Sequence, residues 1–116
     1  MHIDKDLVAA SATPLVLGIL ADGESYGYAI LKRVNELSGG RMEWTDGMLY
    51  PLLHRLERLD YVTASWRTSE GGRRRKHYAL TEAGRTALAE RRKQWTVVAD
   101  ALDQVWKPMP LAEGWA

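Results

Sequence analysis

The sequence predicts a mainly helical α+β fold: three helices, a two-stranded β-wing and one long C-terminal helix. Three observations carry that expectation. Apolar residues recur at helical spacing in four separate segments. The period changes between residues 61 and 80, where two β-branched and aromatic runs flank a basic loop containing Gly71 and Gly72. The last helical segment keeps a seven-residue apolar repeat over a greater length than a small core can use.

The elements follow in order. Thr13 and Pro14 can cap and open a helix over the apolar run Leu15–Ala21; alternatively the stretch from Asp4 belongs to one helix kinked at Pro14. Asp22-Gly23 ends it. Ser25 reads as the N-cap of a second helix with Tyr26, Ile30, Val34 and Leu37 on one stripe, stopped by Ser38-Gly39-Gly40. A third helix begins near Thr45 or Asp46, with Leu49, Leu52, Leu53, Leu56 and Leu59 facing the core and Pro51 expected to loosen its first turn. Tyr61–Arg67 and Lys76–Leu80 read as strands joined by residues 68–75. Thr81 caps the last helix, which runs to about Trp106; Leu88, Trp95 and Leu102 lie seven apart, as do Val98 and Val105. Residues 108–116 are expected to form a flexible tail.

Composition narrows the function. With 116 residues, 46% apolar and 27% charged, the chain has the make-up of one ordinary globular domain. No cysteine is present, which removes disulfides, thiolate metal sites and cysteine nucleophiles. His2, His54 and His77 lack metal-ligand spacing, and no phosphate-binding loop, nucleophile elbow or zinc-protease motif occurs, so neither an enzyme nor a cofactor is expected. The N-terminus lacks the basic and apolar regions of a secretory signal, and the run from Leu7 to Ala21 is too short and too polar to span a membrane, so a cytoplasmic location is expected.

Charge distribution is the most informative feature. Residues 1–53 carry four basic and seven acidic side chains, residues 54–76 seven basic and three acidic, and residues 77–116 five of each. Positive charge therefore concentrates on the outer face of the third helix and on the hairpin. A helix pair followed by a hairpin is the winged form of the helix-turn-helix, and the basic segment coincides with the two elements that such a fold applies to DNA. The expected DNA-binding residues are Thr45, Met48, Tyr50, Pro51, His54, Arg55 and Arg58 with Arg73, Arg74, Arg75 and Lys76. Bland roles stay open for several: Arg58 can pair with Asp60 or Glu57, Arg75 and Lys76 can be structural, and Tyr50 and Tyr78 can be core residues. Residues 5–80 would form the DNA-binding domain and residues 81–107 a dimerisation helix in the same unit.

Four segments in order, Gly27-Tyr28-Ala29-Ile30, Gly47–Leu56, Gly71–Tyr78 and Leu80-Thr81-Glu82-Ala83-Gly84, resemble the PadR family of transcription regulators over about residues 5–107. Three departures are Met48 where Thr is common, Asp60 where Gly usually follows the recognition helix, and Pro14 within what is usually one continuous first helix. The resemblance, especially to the short branch with Lmr-type multidrug-sensing repressors, implies a homodimeric repressor whose last helix packs with the partner's first. The heptad stripe of the last helix predicts the interface: Leu88, Trp95, Val98, Leu102 and Val105, with Trp106 at its end. The resemblance also implies a planar aromatic effector stacked at the dimer axis on Trp95, although heptad position fits an ordinary interface knob equally well; Ser11, Leu15, Val98 and Ala99 are candidate walls if the partner's first helix crosses there. The competing expectation is a winged-helix protein-interaction module without an effector.

Overall fold

Seven elements make up the computed structural model, which describes residues 1–106; the tail expected at 108–116 lies outside the described residues. They are α1 (Lys5–Ala21), β1 (Ser25–Tyr26), α2 (Gly27–Ser38), α3 (Asp46–Arg58), β2 (Val62–Thr68), β3 (Arg74–Leu80) and α4 (Glu82–Trp106).

The first helix runs unbroken through Pro14, so Thr13 is not a cap but a buried mid-helix residue. Pro14 has no N–H to offer the Ala10 carbonyl. The helix continues because it is held by packing on both sides of the proline: Val8 and Thr13 are buried before it, and Val16, Leu17 and Leu20 after it. Ser25 does not cap α2 either. Ser25 and Tyr26 pair with Tyr78 and His77 as a third, antiparallel strand, giving the sheet order β1-β3-β2. Tyr26 takes the N-cap position with extended backbone, and no side chain caps that end. A two-residue strand has no period to betray it, which is why the expected two-stranded wing is a three-stranded sheet.

The wing is longer than expected. Seven residue pairs, from Val62↔Leu80 to Thr68↔Arg74, form its ladder. Arg74 and Arg75 therefore belong to β3, and the turn is only residues 69–73. That turn closes through Ser69 N–H to the Arg73 carbonyl at 2.8 Å and Gly72 N–H to the Ser69 carbonyl at 2.9 Å, with Gly72 at φ 80°.

The leucine stripe of α3 behaves as read, except at its end. Leu49, Leu52, Leu53 and Leu56 join Val16, Leu17, Leu20, Ile30, Val62 and Tyr78 in one core, whereas Leu59 is half-exposed because the helix has ended. Asp60 follows at φ 63°, the one non-glycine residue with positive φ among the described residues. Its N–H bonds to the Glu57 carbonyl and Tyr61 N–H reaches back to Leu56 at 2.9 Å, the pair of bonds that closes a helix on a left-handed residue. Aspartate tolerates this conformation better than most side chains, which explains how it stands where glycine is common. The Asp60 carbonyl then accepts the Thr81 hydroxyl, whose oxygen accepts Gly84 N–H at 3.0 Å. One threonine thus caps α4 and ties its start to the end of α3.

Helix α4 has two unlike parts. Gly84 is buried against the Tyr61 carbonyl, and Ala87 and Leu88 are half-buried on the core. From Arg92 to Trp106 every residue is exposed. A 25-residue helix is about 38 Å long, and its free part draws the molecule out to 61 Å in its longest dimension.

Candidate nucleic-acid interface

At about 100° per residue, the crest of α3 opposite its buried leucines runs through Gly47, Pro51, His54 and Arg58. The two flanks face different neighbours. Tyr50 leans toward the wing, its ring lying so close over Gly27 that a β-carbon there would collide with the phenol. Met48 and Arg55 turn toward α1: Met48 shares a cavity with Val8 and Ala9, and Arg55 Nη2 donates to Thr13 Oγ1 at 3.2 Å. Thr45 occupies the N-cap position without a side-chain cap bond.

Between α3 and the wing lies a cleft of about 500 Å³. Tyr50 and His54 line it from the helix, Tyr26, Gly27 and Tyr28 from the start of α2, and Trp66 with Arg73, Arg74, Arg75 and Lys76 from the wing. Three successive cations on β3 each sit over an aromatic ring. The Arg74 guanidinium is 5.0 Å from the Trp66 ring centre, that of Arg75 is 4.4 Å from Tyr26, and Lys76 Nζ is 5.6 Å from Tyr78. Such contacts hold a cation without neutralising it. Strand alternation sends Arg74 and Lys76 to the face shared with Tyr78, and Arg75 to the opposite one with His77.

Carboxylates sort these cations further. Lys76 Nζ lies 3.6 Å from Glu57 of α3, which ties wing to helix and spends its charge inside the protein. Arg67 Nη2 donates to Glu24 at 2.8 Å, which ties the residue before β1 to the outer face of the wing, and the other Glu24 oxygen lies 3.6 Å from His77 Nδ1. With Glu57 turned to Lys76, neither carboxylate considered for Arg58 pairs with it; among the described residues Arg58, Arg73, Arg74 and Arg75 have no carboxylate partner. This ion pair fits the structural role left open for Lys76. Tyr78 is fully buried, and that burial raises its phenol above the usual 10.0, partly offset by Lys76.

Residues 16–90 match the Transcriptional regulator PadR-like family. The chain belongs to that family. The PadR-like chain is 40% identical over 78 residues to Transcriptional regulator Rv3488 of Mycobacterium tuberculosis, covering 67% of this chain and 69% of that protein. It is 33% identical over 88 residues to Transcriptional regulator YqjI of Escherichia coli, covering 76% of this chain but only 41% of YqjI, so it spans less than half of that relative. In fold it is similar to a transcriptional regulator from Clostridium thermocellum, Cth-833, with a TM-score of 0.80 at 24% identity over 88% of this chain and 96% of that one. The winged helix with its C-terminal helix, the DNA-binding regulatory class and the absence of an enzymatic role all accord with this membership. No helix among the described residues is long and apolar enough to cross a membrane.

The residues expected to hold an effector are only partly together. A groove of about 580 Å³ runs between α1 and α4, lined by Ser11, Pro14, Leu15 and Gly18 on one side and Leu88, Arg92, Trp95 and Thr96 on the other. Ser11 and Leu15 thus approach Trp95 within the same chain, where the sequence reading took them from a partner. Val98 and Ala99 do not line the groove; with Leu102, Val105 and Trp106 they lie on the exposed part of α4. Leu88 is half-buried on its own core. Sequence reasoning missed Glu24, Tyr26, Tyr28, Glu57 and Trp66 at the wing and Arg92 at the groove. Only the aromatic content of the wing strand signalled any of them.

Proposed function

We propose that the chain is a cytoplasmic repressor that binds operator DNA as a homodimer and is released by a planar aromatic molecule. The observation that carries the DNA reading is the cleft: Tyr50 and His54 of α3 and the wing arginines without a carboxylate partner among the described residues line one concave surface. Helix α3 enters a major groove about 12 Å wide, presenting His54 and Arg58 to base edges with Pro51 and Tyr50 beside them. Arg74 and Arg75, steadied on their rings, lie along phosphates, and Arg73 at the turn reaches the minor groove.

Dimerisation rests on α4. Val98, Leu102, Val105 and Trp106 are 39–67% exposed in one chain, an apolar seam with heptad spacing that a second copy would cover. The domain of residues 5–80 would then be presented twice by paired helices of residues 81–107. Trp95, Ser11 and Leu15 hold the effector, with Val98 and Ala99 closing the site from the dimer side. Arg92 has no carboxylate partner among the described residues, so a neutral or anionic planar ligand is favoured over a cation.

The test is footprinting and fluorescence anisotropy on the DNA upstream of the protein's own gene. Wild type should protect two half-sites about 34–36 Å apart on one face of the duplex. Changing Arg73, Arg74 and Arg75 to Ala should weaken binding to all DNA and flatten the salt dependence, which runs near −0.9 per phosphate contact. Equal affinity and slope in the triple variant would exclude the wing and favour a protein-interaction module. For the effector, Trp95→Ala should lose binding of 1-anilinonaphthalene-8-sulfonate and any release from DNA that this dye causes in wild type.

A further inference from the structure

We infer that Arg55 is a positioning residue, which sets the tilt of α3 by holding it to α1 through Thr13, and is not itself a reader of DNA. The inference rests on the proposed docking of α3 in the major groove.

Three observations meet here. Arg55 is off the crest of α3, two turns from Met48 and on the same α1-facing flank. Its Nη2 donates to Thr13 Oγ1 at 3.2 Å across 42 residues of sequence. Thr13 is only 8% exposed. A mid-helix threonine ordinarily turns its hydroxyl back to its own helix; here that oxygen accepts a bond from another helix.

The other end of the same flank is slack. Where α3 begins, Met48 faces a cavity of about 630 Å³ bounded by Ile3, Val8 and Ala9 instead of a packed contact. The leucines on the buried side fix how deep α3 sits, but on the α1 flank a void lies beside the first turn and a directional hydrogen bond beside the last. The arginine–threonine pair therefore restrains rotation and tilt, and a helix docked in a groove reads sequence only when its tilt is right.

The experiment is a double-mutant cycle of Thr13→Val and Arg55→Ala, measured on the footprinted operator and on a scrambled duplex of equal length. Thr13 is too buried to touch DNA, and valine keeps its shape. Each single variant should lose about tenfold in the ratio of operator to scrambled affinity, with scrambled affinity and salt slope unchanged. The double variant should lose no more than either single one, and Thr13→Ser should restore the wild-type ratio. Loss confined to Arg55→Ala, equal on both duplexes and with the slope reduced by about 0.9 for each phosphate contact removed, would make Arg55 a direct contact and overturn the inference. A Thr13→Val protein with the wild-type ratio would overturn it too. Failure of the underlying reading is separate, since wild type would then not distinguish the two duplexes. Thermal unfolding of the same four proteins guards against a mere stability effect: Thr13→Ser and Thr13→Val should melt within about 2–4 °C of each other while their DNA ratios differ.

Discussion

The two parts of α4 obey different rules. Its first turns are fixed by their own chain: Thr81 joins the Asp60 carbonyl to Gly84 N–H, Gly84 lies on the Tyr61 carbonyl, and Leu88 packs on the core. From Arg92 to Trp106 no residue is buried, although Trp95, Val98, Leu102 and Val105 are apolar. Helices in water owe most of their stability to a packed face. The comparison teaches that one continuous helix can draw its order from two sources: intramolecular near its start, and, on the dimer reading, intermolecular beyond it. Changes to the first should shift stability at any protein concentration, and changes to the second should act through assembly.

The largest effect should come from Gly84→Ala. A methyl group there meets the Tyr61 carbonyl and Leu80, and backbone cannot step aside as a flexible side chain can. A loss of about 3 kcal/mol is expected in urea unfolding, independent of protein concentration. Changing Leu102 and Val105 together to Asp should instead abolish the dimer. Light scattering should give the monomer mass, and the melting temperature should no longer rise with concentration. Dimer mass retained in that variant would place the interface elsewhere.

A smaller effect comes from the buried phenol. Burial raises the Tyr78 pKa above 10.0 in the folded chain, while the unfolded chain titrates near the usual value. The folded state therefore keeps a proton that the unfolded state loses. The stabilising difference is complete below pH 10 and disappears as pH rises from there through the folded-state pKa. Urea midpoints should fall between pH 9 and pH 11, and less steeply in Tyr78→Phe. The smallest change is Asp60→Gly, which removes the cost of a left-handed side chain and should stabilise by about 0.5–1 kcal/mol.

What could be read in the sequence was whatever repeats or punctuates. Leu49, Leu52, Leu53 and Leu56 of α3, the Gly39-Gly40 stop and the Thr81 cap are local signals, and they stand where expected. Strand β1 was invisible because two residues carry no alternation. The path of α1 through Pro14 was undecidable because a local helix breaker competes with burial of Leu17 and Leu20, which only tertiary packing can weigh. The site was legible as a charge excess but not as individual roles. Lys76 and Arg73 look alike in sequence, yet Glu57, nineteen residues before Lys76, neutralises only the former. Arg55 and His54 are adjacent in sequence, yet one turns to Thr13 and the other to the cleft.

The register of the wing decides one thing more. Arg73 stands in the turn, while Arg74, Arg75 and Lys76 follow within the ladder of β3. Proteases need an unpaired, extended stretch of chain, which loop tips offer and paired strands do not. Of four adjacent bonds that trypsin could recognise by side chain, the one after Arg73 should therefore be cut first, leaving two fragments held together by the sheet. Bound DNA should shield that bond, so the nick would serve as a label-free clock for how long the wing stays engaged.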